Sequence, residues 1–156
     1  MGKRALLSLV AASALMFLGA RGSPAATVTV NADITQHTIW TAADVHLVTR
    51  DIVVKPSITL TIEPGAIIKF NPGTRLIVDQ GEIVAPGTAA QPIVFTSYRD
   101  DSVGGDTDGT PSQGQPGDWN RLELSGALVT NSKLEHCVVR FAGSGNNGSV
   151  YLYHTD

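Results

Sequence analysis

TLTIEPGAIIKFNPGTRLIVDQGEIVAPGTAAQPIVF, residues 59–95, decides the fold. It holds five short runs rich in Val, Ile, Leu, Thr and Phe, none long enough for a helix and each with the alternation of a strand. Apolar residues recur in pairs two apart: Leu60 and Ile62, Ile68 and Phe70, Leu76 and Val78, then Ile83, then Ile93 and Phe95. Such spacing turns one side of each strand inward. Between the runs stand Glu63-Pro64-Gly65, Asn71-Pro72-Gly73 and Ala85-Pro86-Gly87. In each corner Pro sets φ and Gly accepts a positive φ. An antiparallel sandwich spaces its turns more widely. Runs this short and this closely set describe a chain winding round a tube, three strands and three corners to a turn, each coil about 4.8 Å above the last.

The pattern extends both ways. Strand-like runs precede it at 28–30, 44–49 and 51–54, and follow it at 92–97, 119–124, 133–141 and 149–154. The expected fold class is all-β: a right-handed, single-stranded parallel β-helix over 27–156, with a loop inserted at 98–118. At roughly 20–25 residues per coil this makes about five coils. The final run, Ser149–Asp156, alternates like a strand in progress, so the solenoid is expected to be incomplete at its C-terminus, the first part of a longer chain.

Ahead of the solenoid, MGKR leads into ALLSLVAASALMFLGA and then RGSPAA. A basic start, an apolar run of about 16 residues and a small-residue flank spell a secretory signal peptide over 1–26, cut after Ala25 or Ala26. The protein is therefore expected to be secreted or held at the cell surface, with no membrane span in the mature chain. Cleavage removes Lys3, Arg4 and Arg21, leaving 8 basic residues against 14 acidic ones, a net charge of −6. That balance argues against nucleic acid as a partner. The single cysteine, Cys137, can form no internal disulfide and lies in an apolar run, where a buried, inert thiol is expected.

Several stretches carry a closer resemblance: Thr38–Thr41, Leu60–Gly65, Ile68–Phe70, Gly81–Thr88, Pro92–Ser97, Gly117–Trp119 with Leu122, and Lys133–Gly143. Over roughly residues 30–145 the chain resembles exported bacterial right-handed β-helix repeat proteins of the pectin-lyase-like superfamily. The matching residues are corner and core residues, so the resemblance implies fold more than activity. It implies two kinds of chemistry on this scaffold. Lyases pair calcium-binding acids with a basic residue, and glycosidases use clustered aspartates. No active-site motif of either kind is present to carry over. Arg99, Arg121 and Arg140 stand singly, and Asp100-Asp101 is a carboxylate pair on a loop. His37, His46, His136 and His154 lack metal-ligand spacing.

The insertion YRDDSVGGDTDGTPSQGQPGD, 98–118, is the one stretch the repeat does not explain. Asp106-Thr107-Asp108-Gly109 has the D-x-D-G spacing of calcium loops, though the full loop pattern is absent. Asp100, Asp101, Asp106 and Asp108 form the candidate calcium site, Ca²⁺ the candidate cofactor, and exposure to water the competing expectation. Glu63 is expected to stabilise its corner and Trp40 to plug the N-terminal end. Thr59, Thr61, Lys69 and Arg75 are expected to stand exposed on the flat faces. Asn147-Gly148-Ser149 fits a glycosylation acceptor but also a turn. The functional expectation is an exported β-helix with a structural, adhesive or carbohydrate- or surface-binding role, its partner a polysaccharide or cell-surface component. The alternative is a polysaccharide lyase or glycoside hydrolase whose catalytic rungs lie beyond residue 156.

Overall fold

The structure is a computed structural model, and it describes residues 25–126, 131–145 and 148–153. The signal peptide expected over 1–26 falls almost wholly outside them, as do Asn147 and His154. Strands account for nearly all the regular structure among the described residues: β1 (Thr27–Val30), β2 (Thr38–Trp40), β3 (Val45–Val48), β4 (Ile52–Val54), β5 (Thr59–Ile62), β6 (Ile67–Phe70), β7 (Arg75–Asp79), β8 (Glu82–Pro86), β9 (Ile93–Ser97), β10 (Arg121–Ser125), β11 (Lys133–Glu135), β12 (Cys137–Val139) and β13 (Val150–Tyr153). They form three parallel sheets in which, from β2 onward, every third strand is a neighbour: β1-β3-β6-β9-β12, β4-β7-β10-β13 and β2-β5-β8-β11. This is a right-handed parallel β-helix. Four coils of three strands follow the lone strand β1 among the described residues. With β1 counted, the sheet β1-β3-β6-β9-β12 shows five rungs, and the parallel bridge of Ile34 to Val54 adds a fifth beside β4, matching the five or so expected.

The register keeps like over like. Trp40 pairs with Ile62 and Leu60 with Ile83; Ile52 pairs with Leu76 and Leu76 with Leu122. One coil thus takes roughly 22–24 residues where nothing is inserted. Every inward pair named from the sequence is buried: Leu60, Ile62, Ile68, Phe70, Leu76, Val78, Ile83, Ile93 and Phe95 are at most 1% exposed. Stacked in columns, they form one continuous core along the axis. Complete burial of each such side chain is worth about 1.5–3 kcal/mol.

Two aromatic stacks stiffen the column. The Trp119 ring lies on Phe70 at 4.1 Å and 7°, and its Nε1 donates to the Arg140 carbonyl at 2.7 Å. Near the N-terminus Trp40, buried as expected, stacks on His46 at 5.2 Å. The corners are held by backbone bonds, and Glu63 Oε2 accepts the Ala42 amide at 3.1 Å across one of them. The run at 133–141 is two strands, not one. His136 takes φ 43° and turns the chain between β11 and β12. No Pro-Gly marks this corner, so the sequence hides it.

Candidate functional site

The insertion does not stand away from the solenoid. It folds down against the outer face of the sheet β1-β3-β6-β9-β12 and covers residues on the side away from the core. Val45, Ile67 and Val94 form one outward column; Leu47, Lys69 and Thr96 form the next. Val45, Lys69 and Thr96 are nevertheless 0% exposed. Lys69, expected on an open face, is the clearest departure from the sequence reading. Its strand parity is outward, but the loop lies over it.

Loop chemistry makes this possible. Gly104 and Gly105 both take positive φ, 67° and 73°. A Cβ on Gly104 would come 2.8 Å from Val45 Cγ2, so only glycine lets the backbone lie this close to the sheet. The pair aims the Gly105 carbonyl at the Lys69 ammonium, which donates to it. Burial pushes the Lys69 amine below its ordinary range; Asp101, Asp100, Asp106 and Asp108 pull it back up, in that order.

Each of the four candidate carboxylates has a structural place. Asp100 is buried at 3% exposure, not water-facing. Its Oδ2 accepts Thr96 Oγ1 at 2.6 Å and the Arg140 guanidinium; its Oδ1 accepts Ser102 Oγ at 2.6 Å. Burial alone pushes the Asp100 carboxyl up, but hydrogen bonds from Ser102, Thr96 and Arg140 outweigh it and hold it below the usual carboxylate value. Asp101 Oδ2 accepts the Ser112 amide at 2.7 Å, while its Oδ1 is buried without a hydrogen-bond partner. Asp106 Oδ1 accepts the amides of Asp108 and Gly109 at 2.9 and 2.7 Å, and Asp108 Oδ1 accepts that of Thr110 at 2.9 Å. Those are the turns that short Asp side chains form with their own backbone. Among the described residues no three His, Cys, Asp or Glu side chains are grouped to hold a metal ion.

The chain re-enters the stack through Asp118, whose Oδ2 accepts Ser97 Oγ at 2.7 Å and the Gln115 amide at 2.8 Å. A cleft of about 550 Å³ opens beside the loop, lined by Asp100, Asp101, Ser102, Ser112, Gln113, Gly114, Arg140 and Phe141. Phe141 takes φ 60°, a conformation costly for an aromatic residue and often kept at functional positions. Its ring packs so close to Gly114 that a Cβ there would lie 2.3 Å from Phe141 Cδ2. The Arg140 guanidinium sits 5.2 Å above the ring and donates to Ser102 Oγ at 2.8 Å. Phe141 and Lys69 are the site residues the sequence reading passed over; the paired glycines at 104–105 are the only signal that the loop approaches a backbone closely.

The other candidates lie apart. Arg121 bonds Glu123 on a different sheet, and Arg99 faces Asp118 at 3.6 Å. His37 Nδ1 accepts the Thr59 amide, and His46 Nε2 is 3.0 Å from the Thr41 carbonyl. Cys137 is half-buried, and burial raises its thiol to about 11, which keeps it protonated and unreactive. A second hollow, of about 380 Å³, lies near the N-terminal end between residues 29 and 40. No helix among the described residues is long and apolar enough to cross a membrane.

A family model described as pectate-lyase like beta helix domain matches residues 32–149. No curated protein and no solved structure matches the chain.

Proposed function

The chain belongs to the pectate-lyase-like β-helix domain family, and from that premise we propose that it is the binding module of an exported or cell-surface protein, holding polysaccharide without cleaving it. The observation that carries this reading is the state of its cations. Arg50 and Lys55 pair with Asp33, Arg75 with Asp51 and Glu123, Arg99 with Asp118, Arg121 with Glu123, Lys133 with Glu135 and Arg140 with Asp100. Lys69, the remaining cation among the described residues, is sealed under the loop. A lyase base has to give up its proton before it can take one from the sugar. A guanidinium bonded to a carboxylate keeps its proton more firmly, as the raised value of Arg75 beside Asp51 illustrates.

The cleft offers what a sugar needs for recognition rather than for cleavage. Phe141 supplies an apolar ring face, and Ser102, Ser112 and Gln113 supply neutral donors and acceptors around it. Arg140 is neutralised by Asp100, and Asp101 adds a negative charge, so a neutral glycan fits better than a polyuronate. The basic, apolar N-terminal segment supports export.

A glycan array probed with the purified protein tests the reading. Retention of neutral polysaccharides, lost in Phe141→Ala and weakened in Gln113→Ala, is the expected result. Unsaturated product from polygalacturonate in the presence of calcium would overturn it and favour an enzyme.

A further inference from the structure

The loop at 98–108 has the composition of a cation site and encloses a cation already. We propose that it is a cation cage whose occupant is covalently attached: the ammonium of Lys69 fills the position, and the carboxylates of Asp100, Asp101, Asp106 and Asp108 are its counter-charge. The inference is independent of whether the cleft binds sugar.

Four observations point the same way. The Lys69 side chain is 0% exposed, although its strand parity points it away from the core. A buried ammonium persists only where charge and hydrogen bonds compensate it. The loop supplies one backbone acceptor, the Gly105 carbonyl, through the left-handed Gly104-Gly105 pair. Asp101 Oδ1, on the same loop, is buried and has no donor of its own. Finally, carboxylate oxygens a metal would need are committed elsewhere: Asp106 Oδ1 and Asp108 Oδ1 accept backbone amides, and Asp100 is bonded by Thr96, Ser102 and Arg140. An ammonium carries a single charge and three donors. Calcium needs six or more oxygens.

Hydrogen exchange of the full chain, with and without millimolar calcium, tests this in wild type and in Lys69→Met, which keeps the length of the side chain and removes the charge. In wild type the protection of residues 98–118 is expected to be the same in calcium and in chelator. In Lys69→Met the loop should exchange roughly tenfold faster, in calcium and in chelator alike, while β5 to β9 stay protected. Calcium-dependent protection in wild type would overturn the proposal, because the loop would then be a metal site. So would unchanged protection of the Lys69→Met loop, or a loss that calcium reverses. Should Lys69→Met fail to fold, amine acylation of the wild type decides: Lys69 is expected to stay unmodified while Lys55 and Lys133 react, and equal reactivity of all three would sink the idea.

Discussion

Two outer faces of the same solenoid carry charged residues in the same register, with opposite results. On the sheet β4-β7-β10-β13, Arg75 sits over Arg121 and Ile77 over Glu123. These charges remain partly open to solvent and answer one another: Arg75 bonds Asp51 at 2.6 Å and Glu123 at 3.3 Å, and Arg121 bonds Glu123 at 2.8 Å. On the sheet β1-β3-β6-β9-β12 the equivalent outward lysine, Lys69, lies under a loop, with no carboxylate among the described residues in ion-pair contact. An open face can rely on solvent to moderate like charges such as Arg75 and Arg121. A covered face has to supply every partner from the chain itself. Parity within a strand therefore says which way a side chain points, and only the neighbouring loop says whether water meets it.

The comparison can be broken most forcefully at the point where the loop returns. Trp119→Ala removes the ring stacked on Phe70 and the bond to the Arg140 carbonyl. It should cost about 3–5 kcal/mol in chemical denaturation, and loosen the loop along with the core beneath. Gly104→Ala forces a Cβ against Val45 at positive φ. A loss of about 1–2 kcal/mol is expected, with faster proteolysis of the loop and none of the open face.

Acid distinguishes the faces in another way. The Asp100 carboxyl has a folded value below the ordinary 3.8. Its ionised form thus contributes stability that is fully present above that value and is lost as pH falls through the lower folded one. Thermal unfolding of wild type should show a steep drop there, and Asp100→Asn should flatten that limb while lowering stability at neutral pH. The smallest effect belongs to the open face. Glu123→Gln should cost less than about 1 kcal/mol, and high salt should erase most of the difference. An effect of Glu123→Gln as large as that of Trp119→Ala would dissolve the distinction between the two faces.

The fold was legible in the sequence because a β-helix writes its core as paired apolar residues and some corners as Pro-Gly. Gly65 and Gly73 take the positive φ expected, whereas Pro86 ends strand β8 and Gly87 does not take it. Leu60, Ile62, Ile68 and Phe70 lie where their alternation put them. The corner at His136 was not legible, since a non-glycine residue at φ 43° leaves no compositional mark. The candidate site was only half legible. The aspartates stood out by their number, but number says nothing about partners. The Asx turns of Asp106 and Asp108 are local and could be read from Asp-Thr-Asp-Gly-Thr. The links from Asp100 to Arg140 and from Gly105 to Lys69 join residues distant in the chain, and only folding brings them together.

The two stacked tryptophans make the molecule its own optical instrument. Trp40 and Trp119 are its only indoles, one near the first coil and one beside the insertion. They report from different stations on a one-dimensional stack, which can open from either end. Trp40 rests on an imidazole and Trp119 on a phenyl ring. Protonated imidazole quenches indole emission and phenyl does not. Burial depresses the His46 value below 6.5, so mild acid should leave both signals bright in the folded state. Stronger acid should dim the Trp40 end first, and a single emission spectrum would then separate fraying of the N-terminal end from release of the loop.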